Sequence, residues 1–212
     1  KIIPKPMLKI GNQPILIHIM KSYANYNFKD FILATGYKKN IITTYFKRKK
    51  FKDWNIKLVD TGLNSLTGTR LLKLKEYLKE DENFFLTYGD GVSNINLKSL
   101  LKFHKKKKKK IATLTAVKPP ARFGEIYLNK SVVKNFEEKN QINSGWINGG
   151  FFVFNKKVFE FIPKFQCMLE REPIKKLTKK KQLMAFKHKD FWQCMDTLRD
   201  KNYLNKLWKS KN

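Results

Sequence analysis

The sequence predicts an α/β protein built around a doubly wound, mostly parallel β-sheet. Strand-like and helix-like segments alternate along its first 118 residues, the pattern of parallel strands joined by right-handed helical crossovers. One strand, NFFLT at 83–87, runs into YGDG and leaves Asp90 between two glycines. Ligands bind beyond the carboxyl ends of such strands. We therefore expect a Rossmann-like fold with a ligand site near Asp90.

The elements of the first half follow this alternation in order. Apolar residues at helical spacing (Ile15, Ile19, Met20 and Tyr23) follow Pro14 and predict the first helix. The patterns then predict strands at 31–37, 55–62, 84–89 and 111–117 and helices at 41–48, 70–80 and 96–106.

The second half begins after Pro119 and Pro120, where short strands become closely spaced. We interpret residues 1–212 as a single domain with a smaller mixed β region from 119 onwards. The patterns there predict strands near 124–129, 132–139, 147–154 and 183–188, and helices near 156–162, 170–180 and 197–208.

The formal net charge of +29 first suggests a nucleic-acid partner, because released counterions drive binding to phosphates. Nearly all of the excess is Lys, however, and it accompanies abundant Ile, Asn and Phe, as AT-rich codon usage would produce. Arg, which suits bidentate recognition of bases and phosphates, is scarce. We therefore expect no specific nucleic-acid partner, and we interpret the lysine run at 105–110 as a solvated turn.

The apolar segments and the cysteines give expectations about location. No apolar run approaches the roughly 18–20 residues that span a bilayer, and the start shows no signal-peptide pattern. Cys167 and Cys194 lack metal or redox spacing, so we expect reduced thiols. We expect a cytoplasmic protein with no membrane partner.

Two isolated carboxylates suggest a shared cation. Asp90 ends a buried strand, and Asp196, in FWQCMDTLRDK at 191–201, precedes the last predicted helix. Two carboxylates with phosphates between them suit Mg²⁺, whose octahedron phosphate and water can complete. The alternative is structural: Asp90 would stabilise a turn and Asp196 would cap the helix.

Seven ordered blocks resemble the sugar-phosphate nucleotidylyltransferases. They span essentially the whole chain: PKPMLKIGNQPILIHIM, LVDTG, TGTRLLKLKEYL, FLTYGDG, FEEK, GWINGGFFVF and FWQCMDTLRDKNYL. The chain resembles most the branch that joins CTP and glucose 1-phosphate into CDP-glucose and pyrophosphate, for surface polysaccharide synthesis. The resemblance implies Mg²⁺ as cofactor, a nucleotide-binding half at 1–118, a sugar-binding half at 119–212, and a homo-oligomer as a partner state.

The resemblance also implies roles for single residues on the nucleotide side. Lys5 matches a lysine that contacts the nucleotide phosphates, and Arg70 matches a nucleotide-contacting arginine. Ser65 and Gly89 fall on further substrate-contact positions. Asp90 and Asp196 match the family's metal ligands. Thr69 stands where the family has a second glycine.

On the sugar side, Glu138 and Lys139 resemble a family pair in which the acid binds sugar hydroxyls and the lysine the sugar phosphate. Asn148 matches a sugar contact, and Gly149 beside it permits close approach; a β-bulge at these glycines is the structural alternative. Glu172 is interpreted either as a further contact for sugar hydroxyls or as a surface acid of a helix.

Two departures from the family pattern bear on function. The family's GGxGTRL nucleotide loop and the strand before it are absent, and the excursion before LVDTG is shortened to about FKRKKFKDWN, which weakens the expected subunit contacts. In a doubly wound sheet the absent strand would lie between strands 31–37 and 84–89, so we expect an open slot there. We interpret the chain either as part of a longer gene product or as a degenerate homologue.

The sequence therefore predicts a cytidylyl transfer to glucose 1-phosphate by in-line attack. No histidine is assigned to catalysis because the attacking phosphate is already ionised. The alternatives are a relative that uses another nucleotide or hexose 1-phosphate, an inactive homologue that keeps sugar-phosphate binding, and a basic nucleic-acid binder. The sequence leaves the base preference open, since base recognition lies largely in the absent loop.

Overall fold

The computed structural model describes residues 3–106, 110–120, 125–137 and 145–210. Six α-helices are present in this part: α1 (Ile15–Ala24), α2 (Lys39–Arg48), α3 (Thr67–Lys73), α4 (Leu97–Lys106), α5 (Glu172–Lys179) and α6 (Leu198–Lys209). The strands are β1 (Lys9–Ile10), β2 (Gln13–Pro14), β3 (Asp30–Thr35), β4 (Asn55–Asp60), β5 (Asn83–Thr87), β6 (Gly91–Ser93), β7 (Ala112–Val117), β8 (Glu125–Asn129), β9 (Val132–Glu137), β10 (Ile147–Asn155), β11 (Leu183–His188) and β12 (Trp192–Cys194).

The main sheet has the strand order β11-β7-β10-β5. Strand β10 is antiparallel to both β5 and β7, which therefore run parallel to each other, and β11 is parallel to β7. Strands β3 and β4 form a separate parallel pair. The α/β class is confirmed, and the single reversed strand β10 makes the sheet mixed.

Helices cover both faces of the sheet. Phe84 and Phe85 are consecutive in β5, so their side chains point to opposite faces. Phe84 belongs to a buried cluster with Leu71 of α3, whereas Phe85 packs against a second cluster that contains Ile19 of α1. Two hydrophobic cores on opposite faces are the mark of a doubly wound arrangement.

A cavity of about 790 Å³ separates β3 from β5. Residues 29–35 and 83–90 line its two sides, α1 lines one face, and Leu71, Leu74 and Leu78 line the other. Within the described residues β3 pairs with β4 alone and β5 with β10 alone. The slot expected between these two strands is therefore present.

Several local features differ from the sequence analysis. The predicted helix at 70–80 ends as α-helix at Lys73 and continues as a 3₁₀ turn, Lys75–Tyr77, and the predicted helix at 156–162 is a 3₁₀ helix, Lys156–Phe161. Apolar spacing cannot separate the two helix types over one or two turns. The short ladder between β6 and β12 was not expected at all.

Two further expectations meet the structure only in part. The lysine run at 105–110 begins in the last turn of α4, and residues 107–109 lie outside the described residues. Among the described helices, none combines the length and apolar character that crossing a membrane requires.

Candidate functional site

Asp90 and Asp196 are neighbours because of the short ladder between β6 and β12. The ladder ends at the pair Gly91 and Cys194, just inside the two acids. One step further, the Met195 amide donates a hydrogen bond of 2.8 Å to the Asp90 carbonyl. Two carboxylates that are distant in the chain are thus fixed at one edge of the sheet.

The Lys5 ammonium joins the two carboxylates. Its Nζ donates to Asp90 Oδ2 at 3.0 Å and to Asp196 Oδ1 at 2.5 Å. Partial burial alone would lower the pKa of Lys5, but the hydrogen bonds and charges of Asp196 and Asp90 outweigh it and raise this pKa above its usual value. Lys5, Asp90 and Asp196, predicted separately, therefore form one cluster, here called the acid–lysine cluster.

The structure does not support Asp196 as the cap of the last helix. The N-cap of α6 is Thr197, whose side chain forms a capping box with Asp200. The Asp196 carboxylate instead bonds Lys5 through Oδ1 and accepts from the Cys194 thiol through Oδ2, at 3.2 Å. Its backbone N–H donates to Asp200 Oδ2 at 3.1 Å, which fixes its position ahead of the helix.

The acid–lysine cluster has the donor set of a two-carboxylate cation site. Asp90 Oδ2 lies 3.0 Å and Asp196 Oδ1 lies 2.5 Å from Lys5 Nζ, so the distance between the two oxygens is at most the sum of these two distances. An octahedral Mg²⁺ with ligands at about 2.1 Å spans oxygens up to about 4.2 Å apart, so modest side-chain rotation suffices. Groups of three or more His, Cys, Asp or Glu suited to a metal are absent from the described residues. The remaining ligands would have to come from substrate and water.

Arg70 and Ser65 lie at the ends of β3 and β4. The Arg70 guanidinium donates to the Thr35 carbonyl at 3.1 Å and to Thr61 Oγ1 at 2.6 Å. The Ser65 hydroxyl donates to the Thr61 carbonyl and accepts from Lys73 Nζ at 3.1 Å. Arg70 and Lys73 therefore place two cations beside neutral acceptors at this edge of the sheet; the sequence analysis did not single out Lys73.

The cavity between β3 and β5 connects the two groups. Lys5 and Asp90 line it on one side and Arg70 lines it on the other. Gly89 also lines it, but a Cβ there would meet Pro6 Cγ at 2.9 Å. The glycine is therefore required by the close passage of the Lys5 segment.

In the half expected to bind sugar, the register of β10 against β7 shifts between Asn148 and Phe152. This irregularity fits the β-bulge that was the structural alternative for these residues. A Cβ at Gly149 would meet Val117 Cγ1 at 2.8 Å, and its carbonyl accepts from Trp192 Nε1 at 2.7 Å. Asn148 is exposed, and its Oδ1 accepts from the Gly150 amide at 2.9 Å. Glu138 and Lys139 lie outside the described residues.

Glu170, rather than the predicted Glu172, lies at the cavity. Glu172 is exposed in the first turn of α5. Glu170, which the sequence analysis passed over, lines the cavity, where it accepts a hydrogen bond from Thr67 Oγ1 at 2.8 Å and another from the Tyr88 hydroxyl. Burial, followed by the Glu170 hydrogen bond and charge, raises the pKa of Tyr88 above its usual value. Glu170 thus links the start of α3 to the end of β5.

Comparisons with known proteins identify a family and a fold for the chain. The family model described as nucleotidyl transferase matches residues 1–201. The glucose-1-phosphate cytidylyltransferase of Salmonella typhimurium is 45% identical over 226 residues, covering 97% of this chain and 88% of that protein. The probable glucose-1-phosphate cytidylyltransferase of Bacillus subtilis is 39% identical over 227 residues, covering 97% and 88%. The crystal structure of HddC from Yersinia pseudotuberculosis superposes with a TM-score of 0.74 at 21% identity, covering 97% and 90%, a likeness of fold.

Proposed function

The chain belongs to the nucleotidyl transferase family, and from that premise we propose that it transfers a cytidylyl group from CTP to glucose 1-phosphate. The products would be CDP-glucose and pyrophosphate. The names of the two bacterial relatives supply the substrate pair, and their coverage of almost the whole chain makes the transfer of that pair reasonable.

The single observation that carries the proposal is the acid–lysine cluster at the mouth of the cavity. Phosphoryl-type transfer needs little covalent help from a protein; it needs charge neutralisation and alignment. Asp90 and Asp196, held together by Lys5, offer hard oxygen ligands and a cation at one point. Arg70 offers a second cation on the opposite wall of the same cavity.

In the proposed reaction the sugar phosphate attacks the α-phosphorus in line. Lys5 and Arg70 would neutralise charge on the nucleotide phosphates, and Lys139 would hold the sugar phosphate. Glu138 and Asn148 would bind sugar hydroxyls, Asn148 through an amide that both donates and accepts. No general base is required, because the attacking phosphate is ionised near neutral pH.

The proposed cofactor is Mg²⁺, held by Asp90 and Asp196. When bound, it would supply charge stabilisation on the phosphate oxygens. Two carboxylates are enough protein ligands for this ion in a nucleotide site, because phosphates and water complete its shell.

The test measures pyrophosphate release by the purified chain with CTP and glucose 1-phosphate, with and without Mg²⁺. Asp196→Asn should reduce kcat by at least about 10²-fold if the acid serves transition-state charge. Asp53→Asn, at an exposed acid of the loop before β4, is the matched control and should leave the rate unchanged. Equal rates for the two variants would refute the assigned role.

The open slot between β3 and β5 favours a second candidate, in which the chain binds the sugar phosphate without turning it over. Calorimetric binding of glucose 1-phosphate, together with no pyrophosphate release from CTP, UTP or dTTP, would support this candidate. Release with UTP or dTTP in preference to CTP would instead identify a relative of different base preference.

A further inference from the structure

Lys5 occupies the position between two carboxylates that a shared cation would need. Its Nζ contacts Asp90 Oδ2 and Asp196 Oδ1, and an ammonium has three N–H donors and no acceptor. The side chains are 32%, 31% and 49% exposed for Lys5, Asp90 and Asp196. Solvent can therefore reach the contact, so Lys5 can be exchanged for another cation, and the contact is buried enough for the two ion pairs to contribute to binding.

We infer that Lys5 and a divalent cation compete for Asp90 and Asp196, so that cation binding expels the Lys5 ammonium and makes it available to phosphate. The inference rests on the proposed function. Of the oxygens on Asp196, Oδ1 accepts from Lys5 and Oδ2 from the Cys194 thiol. A cation bound to Oδ1 of Asp196 and Oδ2 of Asp90 would share both oxygens with the Lys5 ammonium, and repulsion between these two positive charges opposes their joint occupancy.

The exchange requires only a side-chain movement. Lys5 begins a 3₁₀ turn, Lys5–Met7, with Pro4 before it and Pro6 within it. The Met7 amide donates to the Pro4 carbonyl at 2.9 Å and the Leu8 amide to the Lys5 carbonyl at 3.1 Å. The backbone is thus braced, whereas the lysine side chain has four flexible carbons and lines the cavity.

The competition couples two ligands of one site. A cation that displaces Lys5 frees an ammonium for the nucleotide phosphates, and phosphates that attract Lys5 free both carboxylates for the cation. By linkage, each ligand raises the affinity of the other by the same factor. Lys5 therefore controls cation binding by competition as well as contacting phosphate.

The first experiment titrates Mn²⁺ into the chain without nucleotide and follows free Mn²⁺ by electron paramagnetic resonance. Lys5→Met should tighten Mn²⁺ binding by roughly 2- to 30-fold, the fold-change expected for losing two partly exposed ion pairs that compete with the cation. Lys39→Met removes a comparable lysine, whose Nζ lies 2.5 Å from Asp60 Oδ2 at the surface, and should change nothing. Unchanged or weaker binding by Lys5→Met overturns the exchange.

A double variant separates this inference from the proposed function. Lys5→Met with Asp90→Asn should lose the tightened Mn²⁺ site. If it binds Mn²⁺ as well as Lys5→Met alone, Asp90 is not a ligand, and the shared cation site of the proposed function fails together with the exchange. If Asp90→Asn abolishes binding but Lys5→Met does not tighten it, only the exchange fails.

A second measurement on the unaltered chain covers the case in which Lys5→Met does not fold. Reductive methylation followed by peptide mass spectrometry reports how readily each lysine amine reacts. Added Mg²⁺ should raise the labelling rate of Lys5 several-fold and leave that of Lys39 unchanged. A Lys5 rate that Mg²⁺ does not raise overturns the proposal.

Discussion

Filling the slot between β3 and β5 should stabilise the protein strongly. The perturbation is a fusion that places a short linker and six alternating Val and Thr residues ahead of residue 1. The matched control has the same length but carries Pro at every second strand position, which removes the N–H donors that a central strand must supply. Nothing else differs between the two fusions.

The size of the slot sets the length of the strand. One residue of a strand occupies about 3.3 Å along the chain, about 4.8 Å between neighbours and about 10 Å between packed layers, or about 160 Å³. The cavity of about 790 Å³ therefore holds about five residues, which matches the lengths of the strands beside it. A six-residue segment is long enough to test this.

The sequences of the bordering strands support the same expectation. The apolar runs Phe31–Ala34 of β3 and Phe84–Leu86 of β5 carry no charge, which is typical of central strands of parallel sheets. The outer strands β4 and β11 carry Lys57 and Lys187, as protected edges do. Both sides of the slot thus have the composition of interior strands.

The expected effect is a large change in melting temperature. Pairing on both sides would form about ten backbone hydrogen bonds at a net ~0.5–1.5 kcal/mol each, against ~1–2 kcal/mol for ordering each of five residues. These two contributions nearly cancel, so the gain comes from apolar burial. A net gain of only ~4 kcal/mol would raise Tm by about 8–16 °C in a chain of this size.

The assay combines calorimetry with hydrogen exchange on peptides that contain residues 30–35 and 83–87. In the fusion with the Val and Thr strand, Tm should rise and amides of both peptides should become protected; the proline control should show neither. Equal Tm values for the two fusions, or slow exchange of both peptides already in the unfused chain, would refute the slot as a strand site.

Three further predictions concern stability. Burial lowers the pKa of His104 below its ordinary 6.5, so the unfolded state binds a proton more readily than the folded state. The free energy of unfolding should therefore be highest above about pH 6.5 and decrease as the pH falls below that value. His104→Gln should reduce this decrease in urea titrations. Glu170→Leu leaves two hydrogen-bond donors without their acceptor and should cost ~1–3 kcal/mol in the same titrations, whereas Glu170→Gln should cost less. Gly89→Ala should cost ~1–3 kcal/mol because its Cβ would meet Pro6 Cγ at 2.9 Å, whereas Gly91→Ala, with its nearest atom at 3.9 Å, should be milder; equal costs would contradict the packing argument.

The sequence predicted the alternation of elements well, because long apolar runs have clear periods. It placed Asp90 just after a buried strand, and in the structure Asp90 lies in the turn between β5, which ends at Thr87, and β6. It could not predict how Asp90 meets Asp196, since β6 and β12 have three residues each and so short a run carries no readable period. The contact depends on a long-range ladder that no local pattern encodes.

The two acids of the segment LEREP illustrate a second limit. Pro173 lies in the first turn of α5 and fixes the start of the helix, which puts Glu172 on its exposed first turn. Glu170 precedes the helix, so its side chain is free to reach Thr67 and Tyr88. Spacing alone could not distinguish these neighbours, because the difference is made by where the helix begins.

Strand β5 connects the stability of the sheet with the proposed nucleotide site. One of its edges pairs with β10, and the other faces the slot. Asp90 follows three residues after its last residue, Thr87. The opposite side of the slot ends at Thr35, whose carbonyl accepts from Arg70. A strand that fills the slot would therefore end between the acid–lysine cluster and Arg70, where it would set the width of the cavity mouth. Stability and nucleotide affinity should then rise together across a series of fusions, because a single pairing event governs both.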